Sequence, residues 1–199
     1  MPLKGVMPGA DVDPRARLGP GASVWHLAQI REDAEIGADC VIGRGAYIGP
    51  EVRLGQRCKV QNYALIYEPA WLDDGVFVGP GAVFTNDRYP RAITPDGSLK
   101  TAGDWEPVGV TVRYGASIGA GAVCVAPVTV GRWAIVAAGS VVVADVPDFA
   151  LVAGTPARFV RWVGRAGIPL LATGDGRFRC PRTGAGYVQA GQTLQEQTS

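Results

Sequence analysis

A large apolar residue returns at every sixth position through the first half of this chain: Val12, Leu18, Val24, Ile30, Ile36, Ile42, Ile48, Leu54, Val60, Ile66, Leu72, Val78 and Phe84. The residue two places earlier is always small, running from Ala10, Ala16 and Ala22 through Cys40, Val52, Cys58 and Val76 to Ala82. Six residues make one short strand and a corner. Three such units close a triangular coil of about 18 residues, and stacked coils pair their backbones at about 4.8 Å. The pattern predicts an all-β fold, a left-handed parallel β-helix whose narrow interior takes one large and one small side chain per hexad. Gly19, Gly37, Gly43, Gly49, Gly55 and Gly79 each follow a beat residue. There a side chain would be crowded or the backbone needs freedom at φ.

The beat lapses after Phe84 and resumes at Val112, continuing through Ile118, Cys124, Val130, Val136 and Val142. The gap of 28 residues is not a multiple of six. A stretch at about 85–107 therefore leaves the prism as a loop and returns in a new register. It is polar, carrying Asn86, Asp87, Arg88, Tyr89, Arg91, Lys100, Asp104, Trp105 and Glu106. A loop that long on a rigid scaffold is more often functional than decorative.

With 47% hydrophobic and 19% charged residues, a chain of 199 can bury a sizeable core. A net charge of +1 offers no electrostatic argument for nucleic acid or an anionic membrane as partner. No run approaches the ~18 apolar residues of a membrane span, and the N-terminus lacks a signal-peptide pattern, so a cytoplasmic location is expected. Residues 1–156 are read as the prism, and 157–199 as a short C-terminal helix and small appendage. Cys40 and Cys58 are 18 apart and stack on adjacent coils, so distance alone permits a disulfide. Both fill the small inward slot, however, and read better as free core thiols; Cys124, at a beat position, reads the same way. Cys180-Pro181-Arg182-Thr183-Gly184 looks like half of a zinc knuckle with threonine for its second cysteine. One sulfur cannot make that site, and no metal is expected.

The hexads followed by Pro147-Asp148-Phe149-Ala150-Leu151-Val152-Ala153-Gly154-Thr155-Pro156-Ala157-Arg158 resemble the hexapeptide-repeat acyltransferases. That resemblance implies a homotrimer with acetyl-CoA in a cleft between neighbouring prisms. It places Gly154, Pro156 and Arg158 near the adenosine end, while Ala120, Ala138 and Gly139 are assigned from coil position to backbone contact with pantetheine. Val24-Trp25-His26, Lys59-Val60-Gln61-Asn62, Ile66-Tyr67, Val83-Phe84-Thr85-Asn86 and Tyr89-Pro90-Arg91-Ala92 are similar to the nucleotide-linked amino-sugar N-acetyltransferases. The nearest branch in that resemblance acetylates the 3-amino group of a UDP-2-acetamido-3-amino-2,3-dideoxy-D-glucuronate. This implies a nucleotide-linked amino sugar as partner and a place in cell-surface polysaccharide (lipopolysaccharide) biosynthesis. The pattern departs at Arg44, Gly45 and Gly121, where the family often has asparagine after a glycine.

Amide formation requires a free amine and an acceptor for its proton. His26 is the only histidine, an obvious candidate base. By the coil period it shares an outward column with Arg44 and Asn62, whereas Glu32, Pro50, Glu68 and Asn86 form another at a different corner. His26 therefore reads more readily as a contact to a partner chain or nucleotide. The resemblance makes Asn86 the residue that orients the amine, with the departing CoA sulfur taking the proton. Glu68, one coil below, is either an acceptor of the proton or holder of the amine, or a surface carboxylate. Arg91 is either the partner of a uronate carboxylate through a bidentate fork or a solvated loop arginine. Asn62 and Tyr67 are candidate hydroxyl or nucleotide contacts, and Gln61 reads as a structural ladder. Trp25, Tyr67, Tyr89 and Trp105 are able to stack on a uracil or thymine ring. The β-helical carbonic anhydrases need three histidines and are excluded. A dTDP-linked 3- or 4-amino-deoxyhexose acetyltransferase and a non-catalytic trimeric scaffold stay open.

Overall fold

A computed structural model describes residues 5–197. Hexads fold as two-residue strands separated by corners, and each strand pairs in parallel with the strand one coil on: Lys59 with Val41 and Phe77, Leu65 with Tyr47 and Val83, Trp71 with Arg53. Three parallel sheets result, the faces of a left-handed β-helix. The beat residues form three inward stacks. Val24, Ile42, Val60, Val78 and Ile118 line the first face; Ile30, Ile48, Ile66, Phe84 and Cys124 the second; Ile36, Leu54, Leu72, Val112 and Val130 the third. The alternation of large and small slots is a packing requirement, because three faces converge on an axis too narrow for two bulky layers. Cys40, Cys58 and Cys124 sit in this core as free thiols.

Where a glycine follows a beat residue, it answers to crowding. A Cβ on Gly43 would lie 2.6 Å from the backbone nitrogen of Asn62 in the next coil. Positive φ falls two residues later, at Gly45 (63°) and at the equivalent Tyr63 (58°). The two demands of the corner are thus met at separate positions.

The excursion enters where the second face turns toward the third. Leu72 pairs with Val112, 40 residues on instead of 18, so 22 residues are inserted. Its neck is closed by the Val108 N–H donating to the Asn86 carbonyl at 3.0 Å. Within it, Ala92–Lys100 forms a small hairpin and Ala102–Asp104 a 3-10 turn. No helix among the described residues is long and apolar enough to cross a membrane.

Past Val142 the period shortens: Val130 bridges to Val146 and Val136 to Val152, each 16 apart. Val146 and Val152 are inward core residues that a strict six-residue count misses. The short helix expected after Pro156 is replaced by a strand, Ala157–Trp162, antiparallel to Ala150–Gly154. The last coil presents unpaired backbone groups to whatever follows, and a segment rich in aromatic and β-branched residues satisfies them by pairing. Residues 171–196 then form a four-stranded antiparallel sheet. It docks on the prism through Phe149 and Tyr187, with ring centroids 5.4 Å apart, and through the Trp162 indole N–H donating to Gln189 at 3.1 Å.

Candidate active site

The corners divide the sequence-derived residues into two groups. At the corner between the second and third faces, Tyr67, Glu68 and Asn86 line one groove of about 600 Å³ with Arg91, Lys100 and Trp105 of the excursion. At the corner between the first and second faces stand His26, Asn62, Ala120, Ala138, Gly139 and Gly154. Their stacking follows from a ladder of backbone hydrogen bonds: Gly45 N–H to His26, Gly81 N–H to Asn62 and Gly139 N–H to Ala120. His26 and Asn86 lie on different corners three coils apart, about 14 Å along the axis.

Within the groove Glu68 is the conspicuous side chain. Its Oε2 is buried and has no hydrogen-bond partner among the described residues, whereas a buried carboxylate oxygen normally has one. A Cβ on Gly49 would come within 2.5 Å of that oxygen, so the bare glycine makes the space it occupies. Tyr47 and Tyr67 pack beside it with centroids 5.0 Å apart. Partial burial raises the Tyr47 hydroxyl pKa, the Glu68 charge adds to the rise, and the Arg31 guanidinium opposes it. Arg31 in turn pairs with Glu32 at 2.7 Å. The half-buried Glu68 carboxylate lines the groove together with Asn86, and a carboxylate there can accept from an N–H of an amine.

The excursion supplies the outer wall. Arg91 is exposed, its Nη1 donates to the carbonyl of Pro90 at 3.0 Å, and it forms no ion pair with a carboxylate among the described residues. Lys100 is half-buried and lines the same groove. An adjoining recess that includes Arg88 and Tyr89 shares Asp87, Lys100 and Trp105 with it. Tyr47 was missed in the sequence because it occupies an ordinary outward strand slot; its one signal is that Tyr67 falls beside it one coil later. Lys100 was legible only as a loop cation, since its approach to Glu68 depends on the loop's path.

At the other corner Asn62 has a structural task. Its Oδ1 accepts the Arg44 N–H at 2.9 Å, and Asp74 does the same for Gln56 at 2.8 Å on a different corner. His26 is half-buried against Trp25, ring centroids 6.2 Å apart. Beyond Asn62 the corner loses its bulk: Pro80-Gly81, Ala120-Gly121 and Ala138-Gly139 are stacked, and a Cβ on any of the three glycines would meet nothing within 4 Å. With Gly154 above, this makes a strip of bare backbone spanning three coil intervals, about 14 Å. It suits an extended chain-like ligand that needs close backbone approach and peptide hydrogen-bonding groups. Pro156 and Arg158 lie exposed at its end.

Residues 15–50 match the family model described as bacterial transferase hexapeptide (six repeats), and residues 109–144 match the hexapeptide repeat of succinyl-transferase. The chain is 35% identical over 136 residues to the bifunctional protein GlmU of Brevibacillus brevis, covering 68% of this chain and 26% of that protein. It is 41% identical over 87 residues to the serine acetyltransferase of Haemophilus influenzae, covering 43% of this chain and 32% of that one. The chain thus spans about a quarter to a third of the length of these curated relatives. Among solved structures, a hexapeptide-repeat-containing acetyltransferase of Vibrio cholerae O1 biovar eltor, complexed with acetyl coenzyme A, matches with a TM-score of 0.54. It is 24% identical, covering 66% of this chain and 72% of that one, a likeness of fold.

Proposed function

We propose, from a chain built on the hexapeptide repeats of bacterial transferases, that it transfers the acetyl group of acetyl-CoA to the 3-amino group of a UDP-linked amino-sugar uronate. The observation that carries this reading is the half-buried Glu68 carboxylate, which lines one groove with Asn86, Arg91 and Lys100. In this reading Glu68 and Asn86 hold the amine with its lone pair toward the thioester, so orientation supplies much of the rate. The nitrogen attacks the thioester carbonyl, the C–S bond breaks, and the proton released by nitrogen ends on the departing CoA sulfur. Arg91 takes the uronate carboxylate through its guanidinium fork. Tyr67 and Trp105 offer ring faces to the sugar or base.

The glycine-rich corner supports acetyl-CoA as cosubstrate, with Ala120, Ala138 and Gly139 along pantetheine and Gly154, Pro156 and Arg158 at the nucleotide end. The serine acetyltransferase relative is an acetyltransferase by name and supports the same donor chemistry. A homotrimer brings the strip of one copy toward the groove of the next. It is supported by the outward side chains of the second face, Leu65, Val83, Val123, Val125, Val141 and Val143, which form an apolar surface between the two corners. A cytoplasmic enzyme of cell-surface polysaccharide biosynthesis completes the reading.

The test is thiol release from acetyl-CoA against a panel of UDP- and dTDP-linked amino sugars. Turnover confined to the UDP-3-amino uronate is the expected result. Turnover with a neutral dTDP-linked amino-deoxyhexose removes the carboxylate role of Arg91. Silence across the panel, together with no acetyl-CoA binding, overturns the reading in favour of a scaffold.

A further inference from the structure

The charge of this chain is unevenly distributed. Residues 157–199 hold six arginines and no lysine against two acids, a net +4, whereas residues 1–156 hold 13 basic and 16 acidic residues, a net −3. The excess positive charge therefore belongs to the C-terminal appendage, and all of it is guanidinium, the side chain whose planar fork matches phosphate oxygens bidentately. Three of these arginines, Arg165, Arg177 and Arg179, line one groove of about 900 Å³.

The groove has the further parts of an anion site. Gly184, Ala185 and Gly186 also line it, with the Arg179 guanidinium over Gly184 and the Gln197 amide oxygen over Gly186. Thr173 lines it as well. Two of the guanidiniums are held in place: Arg165 pairs with Glu196 and lies over the Trp133 ring at 5.6 Å, and Arg179 Nε donates to the Gly184 carbonyl at 3.3 Å. Arg177 is exposed and has neither ion pair nor side-chain hydrogen bond among the described residues. One carboxylate, Glu196, faces three cations, and it is already engaged by Arg165 and the Tyr187 hydroxyl.

We infer that this groove binds a phosphate-type anion, a phosphate monoester or diphosphate, with Arg177 as its free fork and Arg165 and Arg179 as fixed walls. The site lies on the antiparallel sheet, apart from the groove of Glu68 and from the glycine-rich corner, and does not depend on the acetyl-transfer reading. The phosphate belongs either to a soluble compound or to a lipid headgroup.

The experiment is calorimetric titration of the full-length protein with inorganic pyrophosphate, with and without saturating CoA, on the wild type and on Arg177→Gln. Expected is one pyrophosphate per chain that persists in the presence of CoA and weakens about fivefold or more in Arg177→Gln, from loss of one bidentate charge-assisted contact. Arg57→Gln, on a remote corner, should bind as the wild type does, and unchanged Tm values would show that all variants fold. Co-sedimentation with phosphatidylcholine vesicles, with and without phosphatidic acid, separates the sources. Sedimentation that needs phosphatidic acid and is lost in Arg177→Gln assigns the site to a headgroup; pyrophosphate binding without sedimentation assigns it to a soluble phosphate. Pyrophosphate affinity unchanged by Arg177→Gln, or no binding by the wild type, overturns the inference.

Discussion

The Glu68 carboxylate occupies the place that a side chain on Gly49, one coil below, would fill: a Cβ there would lie 2.5 Å from Oε2. A glycine that the coil requires for close stacking is also what lets a carboxylate turn inward at the groove floor. Glu68→Gln keeps the shape and removes the charge. It should lower kcat by about 10²-fold while leaving acetyl-CoA affinity unchanged. Because the native oxygen is buried without a partner, Tm should hold or rise. Full activity in Glu68→Gln, read by thiol release, would remove Glu68 from the mechanism.

Asn86 closes the neck of the excursion through its backbone and faces the groove with its side chain. Asn86→Ala should reduce kcat by more than it weakens acetyl-CoA binding, since the neck hydrogen bond survives the substitution. Steady-state kinetics alongside a direct acetyl-CoA titration separate the two effects.

His26 stands three coils from Asn86 on another corner. Its replacement by alanine should keep much of the turnover and the shape of the pH profile. A fall of about 10³-fold in kcat would make it the base instead, acting across a subunit boundary.

Asp104 accepts hydrogen bonds from both the Thr101 N–H and its hydroxyl, each at 2.7 Å. The hydroxyl bond chiefly, then the amide bond, holds its carboxyl below the ordinary 3.8. With the folded pKa depressed, this contribution is complete above the unfolded value and is lost as pH falls through the lower folded one. The wall carrying Trp105 should therefore hold from neutrality down to about that ordinary value and loosen only on further acidification. Tryptophan fluorescence of the wild type should show this acid step, and that of Asp104→Ala should lack it.

Leu72 is fully buried between Leu54 and Val112 on the third face. Leu72→Ala should destabilise the chain by about 2–5 kcal/mol. The denaturant midpoint should fall with an unchanged slope, because the surface exposed on unfolding is nearly the same.

The prism, its inward beat residues as far as Val142 and the entry point of the excursion are legible in the sequence, because a solenoid is governed by local repetition: each hexad meets the same environment as its neighbours one coil away. The outward columns followed from the same arithmetic, which is how His26 could be separated from Asn86 without a structure. Where repetition fails, legibility fails with it. The two-residue contraction that places Val146 and Val152 in the core breaks the count, and the segment after Pro156 turns into a strand because an open sheet edge lies beside it.

By itself, then, the sequence determined the three-sided coil, since a period of six leaves one way to bury both the large and the small slots. Only the tertiary structure decided the site. The excursion's return over the corner brings Lys100 and Trp105, 32 and 37 residues further along the chain, into the groove of Glu68. The unpartnered state of Glu68 Oε2 depends on every neighbouring atom at once. Non-local contacts of this kind carry no periodic signal, because the loop path that makes them is set by packing against the finished prism.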